Sequence, residues 1–549
     1  MASDALHDLF DRTFERDLEE RPELATYLGR PGNHDRWSDL GTDAIERRRQ
    51  VPGQVLKELA AIDRRQLDET DGLSYDLFEW IQRDHQEAAA FPSHLLAIDQ
   101  MGGPQQDPAQ VLAMMPTGTA GERANIVARI EGVPRLIDQS IDLLREGLSL
   151  GVTAPRVVLR DVADQVRAQL DGGPLLAPLE GQPEHLAAQK VVRETVTPAY
   201  ERLLAFVTDE YLPGARESIA CVDRPDGEAW YAHAIRSHTT TDLTASEIHQ
   251  IGLDEVARID AATRDVIDEI GFDGTFAEFC AFMRTDPQFF CTTADELLGR
   301  YRDISKRVDP ELCRLFGRLP RLPYGVCAVP AYAEQSQTTA YYLPGSPEAH
   351  RPAWYFANTY DLTSRPIWEM EALTLHEAVP GHHLQIALAQ EIEDLPWFRR
   401  SWSAFTAYTE GWGLYAESLG PELGFYQDPY SRFGQLTYEM WRAVRLVVDT
   451  GMHALGWSRD KAIAFFAEHA AKATHDIVVE VDRYIAWPGQ ALAYKLGELK
   501  LKELRAVART AQKDRFDVRA FHDEVLAHGP MPLDILDARI RAWSGAPVA

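Results

Sequence analysis

Residues 373–385 read LTLHEAVPGHHLQ, placing His376 and Glu377 side by side and two more histidines, His382 and His383, just past a proline and a glycine. Imidazoles and carboxylates are zinc ligands, and a hydrolytic zinc needs three of them converging within about 2.0–2.2 Å, with a position left for water. An H-E-x-x-H helix satisfies this because positions i and i+4 share a face, but here Pro380 stands where the second histidine would be. On a regular helix His376 and His382 are roughly 120° out of phase, and His376 and His383 are in phase but about 10.5 Å apart along the axis. Pro380 cannot continue the hydrogen-bond ladder, and Gly381 tolerates unusual backbone angles. The expectation is a helix with a two-residue bulge at Pro380-Gly381 that carries His382 to the i+4 place. His382 is therefore preferred to His383 as ligand, with Glu377 as general base toward the attacking water. The plainer alternative is a helix end whose histidines merely suit the helix dipole.

A third ligand is offered by YTEGWGLYAE (408–417), where Glu410 is the first choice and Glu417, seven residues on and in phase, the second. The stretch resembles the N-E-G-F-A segment that carries the glutamate ligand of thermolysin-like (gluzincin) aminopeptidases. The 27 residues between His382 and Glu410 exceed the spacing in those enzymes, and a loop through EIEDLPWF would absorb the excess. EVDRYIAWPGQALAYKLGELKLKELR (480–505) resembles the part of thimet-oligopeptidase-like enzymes where a Gly-rich turn opens a helix bearing a tyrosine over the zinc. By that likeness Tyr494 would stabilise the oxyanion, with Tyr484 as runner-up. The histidine those enzymes carry earlier is missing here, its place falling near Asp482.

Together with RLVVDTGMHALGWS (445–458), HTTTDLTASEIHQIGL and YYLPGSPEAHRPAWYFANT, these motifs resemble the bacterial family called domain of unknown function 885, grouped with presumed zinc metallopeptidases. The likeness runs over nearly the whole chain. It implies a Zn²⁺-dependent peptidase of short peptides, with His376, His382 and Glu410 as ligands and Glu377, Tyr494 and Tyr484 as catalytic candidates. An extended substrate would add as a strand against TTAYYL (338–343), contacting Ala340, Tyr341 and Tyr342, and Arg483 would also bind it. Arg445 and His453 lie in these motifs without an assignable role. The rival readings are a zinc hydrolase of a non-peptide amide or ester, and a non-enzymatic helical binding protein with a structural or empty site.

Helices must position these groups. Leu6, Leu9, Phe10 and Phe14 form an apolar stripe at helical spacing, PRVVLRDVADQVRAQL from Pro155 reads as a helix, and GGPLLAPLEGQPE (172–184) reads as a loop. Thr244 and Glu247 have capping-box spacing before a long amphipathic run. Strand-forming residues concentrate in 324–361. The expected fold is mainly α, a large bundle-like helical body around a deep cleft with a small antiparallel sheet, gluzincin- or oligopeptidase-like. Its divisions would be an N-terminal helical region (1–190), a middle helical region (191–323), a small β region lining the cleft (324–366) and a helical catalytic region (367–549).

The chain has 549 residues with 56 basic and 85 acidic side chains, a formal net charge of -29 that disfavours nucleic acid and anionic lipid as partners. Five cysteines without C-x-x-C spacing point away from a disulfide framework. No signal-like start and no apolar run of the ~20 residues a membrane span requires are visible. The expected compartment is the cytoplasm.

Overall fold

The computed structural model describes residues 2–330, 334, 338–346, 351–393, 395–400 and 405–547. Its chain divides into two compact units, Met1–His233 with Pro396–Phe398, and Ala234–Leu395 with Arg399–Ala549. Both are mainly α, and every candidate site residue lies in the second. No helix among the described residues is long and apolar enough to cross a membrane.

In the first unit α1 (Ala2–Glu20), α2 (Thr42–Ala60) and α3 (Glu69–Ala88) share a core. The stripe of Leu6, Leu9 and Phe10 packs on Val55 and Leu59 of α2 and on Tyr75 and Phe78 of α3, removing apolar area worth about 25 cal/mol per Å² from water. Phe14, half-buried, stacks on Trp397 with ring centroids 5.8 Å apart. The long α4 (Ala120–Leu150) opens on a Thr119–Glu122 capping box and stops at Gly151 in the left-handed region. The stretch after Pro155 departs from expectation: it forms a 3-10 turn, Arg156–Leu159, and a short helix, Val162–Arg167. The amide of Arg156 is bonded to the Arg216 carbonyl, tying the start of the segment to a loop instead of a helical ladder. Within 172–184 the chain makes two short turns of helix, Gly173–Leu176 and Ala177–Leu179, where only loop was expected.

The second unit begins with α5 (Ala245–Ile270), capped by Thr244 and Glu247 as the sequence indicates. After α6 (Ala294–Val308) come the strands β1 (Tyr324–Ala328), β2 (Ala340–Leu343) and β3 (Ala353–Ala357). They form one sheet in the order β1-β3-β2, with β3 parallel to β1 and antiparallel to β2. The sheet is thus mixed, not antiparallel. The chain reverses direction from β1 to β2 and again to β3, and because β3 inserts between the other two it meets β1 running the same way.

The helices that bear on the site come next: α7 (Met370–Glu377), α8 (His382–Gln390), α9 (Thr406–Ser418), α10 (Pro429–Ala454), α11 (Thr474–Ala486), α12 (Ala493–Gln512) and α13 (Val518–Leu526). The α9–α12 crossing is close because Gly411 meets Gly497: a Cβ on Gly411 would stand 2.5 Å from the Gly497 Cα. Beside it the fully buried Lys495 of α12 bonds Glu439 of α10 at 2.8 Å and Glu498 at 2.6 Å, and pairs with Glu255 of α5 at 2.9 Å. Lys495 stays charged because three carboxylates replace the water it loses.

On α13, His522 is buried and donates Nδ1–H to the Leu315 carbonyl, while its Nε2 accepts the Tyr415 hydroxyl, both at 2.8 Å. This arrangement needs a neutral ring, and burial pushes the imidazole down to about 4 against the partial help of the Leu315 carbonyl. An unfolded histidine titrates near ~6.5. The stability this depressed group contributes is therefore complete above that value and is lost as pH falls through about 4. Denaturant unfolding between pH 7 and 4 should show the wild type taking up about one more proton per molecule than His522→Gln. Superimposable pH profiles would remove His522 from the acid response.

Candidate metal centre

The HEAVPGHH stretch is not a bulged helix. α7 ends at Glu377, Ala378 leaves helical geometry at φ -97° and ψ -117°, and the Val379–Pro380 peptide is cis before α8 starts at His382. Proline and glycine thus end one helix and begin another, because the chain cannot keep its ladder through Pro380. What Gly381 supplies is room, not a left-handed φ: a Cβ there would lie 1.9 Å from the His376 carbonyl oxygen. The turn is secured by the Trp412 indole, which donates to the Pro380 carbonyl at 2.8 Å.

The break brings His376 and His382 together. Their rings lie 4.7 Å apart at 86°, and both Nε2 atoms face the Glu410 carboxylate of α9, at 3.7 Å from His376 and 3.5 Å from His382. One ligand atom from each of the three residues lies within 4.8 Å of the others, two of the residues being buried and Glu410 half-buried. Donors bound tetrahedrally to zinc at ~2.0–2.1 Å are about 3.3 Å apart, so the two Glu410 separations are close to the edges of such a site and long for direct hydrogen bonds. Two imidazoles and one carboxylate match the donor set of a catalytic zinc with an open position.

α9 supplies more than a ligand. Glu417, fully buried, accepts His376 Nδ1–H at 2.8 Å, which orients the ring so that Nε2, the nitrogen a metal would take in place of its proton, faces Glu410. Arg442 lies 3.6 Å from Glu417, and the Tyr426 hydroxyl donates to the Glu417 backbone carbonyl at 2.9 Å. Gly413 leaves space for the ring: a Cβ there would sit 2.8 Å from His376 Cε1. Burial opposes a charged His376, but the facing Glu410 and Glu417 carboxylates overcome it and push the imidazole up to about 9. Burial likewise opposes the Glu410 charge, and the two histidines nonetheless hold that carboxylate well below its ordinary range.

His383 points elsewhere. Its Nε2 donates to the Leu322 carbonyl and its Nδ1 accepts the Tyr342 hydroxyl, both at 3.0 Å, and burial pushes it down to about 4. It is a neutral structural histidine joining α8 to β2. Glu377 is the half-buried last residue of α7, and its charge acts on His376. Tyr494, in the first turn of α12, is raised by burial and by the Glu410 charge and lowered by Arg445, whose guanidinium lies 4.5 Å from its ring centroid. Tyr484 is engaged away from the cluster: its hydroxyl accepts from Arg445 at 2.8 Å and Trp441 at 3.1 Å and donates to Glu480 at 2.5 Å. His453 donates to the Tyr484 backbone carbonyl at 2.9 Å, which makes it a fastener between α10 and α11. Arg483 bonds Glu480 at 3.0 Å and Gln490 at 2.8 Å. Ala340, Tyr341 and Tyr342 lie on β2, at one edge of the sheet, where Ala340 is buried and Tyr341 stacks on Phe356 at 4.9 Å. In EGWGLYAE the sequence marks Glu417 only as a spare ligand and Trp412 only as a core residue, and gives no sign of the part Gly413 plays.

A helical body with a two-histidine, one-glutamate cluster drawn from three helices is the class that fold and site define. The chain belongs to the family described as bacterial protein of unknown function (DUF885), which matches residues 22–540. It is similar over 99% of both chains to the crystal structure of a presumed lipoprotein from Colwellia psychrerythraea, with a TM-score of 0.93 and 27% identity. It also resembles a presumed lipoprotein of unknown function from Shewanella oneidensis, over 98% of this chain and 99% of that one, with a TM-score of 0.75 and 16% identity, a likeness of fold alone. Comparison with curated proteins finds no match.

Gly413→Ala should drive the His376 ring off Glu417 and lower the affinity for added Zn²⁺ by about 10–100-fold, the range typical of lost outer partners. Competition with a chromophoric chelator measures this. Unchanged affinity would mean that His376 does not coordinate from this position.

Proposed function

We propose that the protein is a zinc-dependent peptidase acting on short peptides. The observation that carries this reading is the convergence of His376, His382 and Glu410, with Glu377 next to the first ligand and Glu417 orienting it. The adjacent glutamate favours an enzyme over a structural metal site, which has no use for a base.

His376, His382 and Glu410 would hold the ion. When bound, zinc supplies Lewis acidity that polarises a carbonyl and acidifies water. Glu377 takes the proton of the attacking water and delivers it to the leaving nitrogen. Tyr494, near Glu410 and reached from α12, donates to the oxygen on which negative charge develops; losing one such donor typically costs ~10²–10³ in rate. The outer edge of β2 offers backbone groups to which an extended peptide adds as a strand. Tyr342 holds that strand to α8 through His383.

The compartment belongs to the same proposal. Five cysteines without a disulfide favour the reducing cytoplasm, whereas the description of the Colwellia relative as a presumed lipoprotein favours the envelope. We hold to the cytoplasm, and fractionation of the native host with an antibody to the protein decides between them.

Glu377→Gln should keep about one equivalent of zinc by elemental analysis and lose peptide hydrolysis by about 10²-fold or more. A fully active variant refutes Glu377 as base. Hydrolysis of simple esters or non-peptide amides without cleavage in a peptide library would replace the substrate class and leave the metal chemistry in place.

A further inference from the structure

Beside the ligand cluster, α10, α11 and the start of α12 gather cations around aromatic rings. Trp441, half-buried, has the guanidinium of Arg442 at 5.1 Å from its ring centroid, that of Arg445 at 5.0 Å and the Lys472 ammonium at 4.8 Å. Arg445 also covers Tyr494, and Arg483 covers Tyr484 at 4.9 Å. Outside the ligand cluster these four cations face three carboxylates: Glu417 at 3.6 Å from Arg442, Glu369 at 2.7 Å from Lys472, and Glu480 at 3.1 Å from Arg445 and 3.0 Å from Arg483. Glu480 is shared by two guanidiniums and also accepts the Tyr484 hydroxyl. Among the described residues these four cations thus share three carboxylates through direct ion pairs, in a chain whose formal net charge is -29.

The pairing of the two arginines is incomplete. Arg445, 5% exposed, keeps a buried Nη1 with no hydrogen-bond partner among the described residues, and Arg483 turns its second N–H arm to the neutral amide of Gln490. Removing a cation from water without a full counter-charge is costly unless an anion arrives to complete it. Guanidinium groups suit carboxylates because their donors form a planar fork. Arg483 is the more reachable of the two, its side chain 13% exposed against 6% for Arg445. Tyr494, under Arg445, stands one turn before Gly497, which meets Gly411 beside Glu410, so this cation-rich face lies next to the proposed reaction centre.

We infer that Arg483, backed by Arg445 and walled by Tyr494 and Trp441, forms a subsite for a substrate carboxylate, in the first place the free C-terminus of a short peptide. This rests on the peptidase reading and adds to it an end preference: cleavage near the C-terminus. Arg483 would touch the ligand and Arg445 would supply field from behind it.

Binding to the zinc-loaded Glu377→Gln protein tests this without relying on turnover. Three peptides are compared by calorimetry: an N-acetylated tripeptide of small apolar residues with a free C-terminus, its C-terminal amide, and an amide carrying one glutamate. The free acid should bind about tenfold or more tightly than its amide. Arg483→Gln should abolish that difference while leaving the amide's affinity unchanged, and Arg483→Lys, which keeps the charge, should retain part of it. Tight binding of the glutamate-bearing amide, lost in Arg483→Gln, would keep the carboxylate subsite and move its source to a side chain. Equal binding of acid and amide, a preference undiminished in Arg483→Gln, or no binding of the free acid would overturn the proposal. Absence of turnover by the wild type on every peptide would count against the peptidase reading, and the binding comparison would still stand.

Discussion

The His376 imidazole is held on two sides by a single helix. Glu417 grips its Nδ1, and Gly413, one helical turn earlier, leaves the volume the ring occupies. A third residue of that helix, Glu410, faces the opposite ring nitrogen, and a fourth, Trp412, holds the carbonyl of the proline that lets His382 approach. The alignment of α9 against the break between α7 and α8 therefore fixes every distance in the cluster. The Gly411–Gly497 crossing fixes α9 in turn against α12, which bears Tyr494. An error of an ångström in that crossing would separate the candidate ligands from the candidate oxyanion donor.

Much of this was legible in the sequence, but unevenly. Thr244 and Glu247 mark the start of α5 because a capping box is a local arrangement, complete within four residues. The apolar stripe of α1 is legible for the same reason, since 3.6-residue periodicity reports burial without the partner being known. Strand content is legible in 324–361, whereas strand direction is not: an antiparallel sheet was expected, and the insertion of β3 between β1 and β2, which makes it mixed, leaves no mark on any one strand. The run after Pro155 has helical spacing yet forms only a 3-10 turn and a short helix, its start tied by a long-range backbone bond to Arg216.

The centre shows the same division. His376, His382 and Glu410 could be chosen by ligand type and by the need to converge, and the structure brings them together. The route was misjudged: a bulge keeps one helix, whereas the chain makes two helices with a turn clasped by an indole 32 residues away in sequence. Choosing between His382 and His383 depended on surroundings that adjacent sequence cannot encode, namely Leu322 and Tyr342 claiming both nitrogens of His383. Gly413 reads as an ordinary small residue among aromatics until the ring beside it is seen.

Lys495 has a consequence for how the molecule is made. Its carboxylate partners are Glu255 on α5, Glu439 on α10 and, one turn on, Glu498, so two of the three leave the ribosome well before the lysine does. Until the ammonium arrives, Glu255 and Glu439 have Arg258 near them but lack their central counter-charge. The stretch that supplies it also carries Tyr494, the neighbouring residue. Burying that cation and delivering the phenol are thus a single late act of assembly, and a nascent chain stalled before α12 would hold its imidazoles and glutamate in a body whose charges have not yet closed.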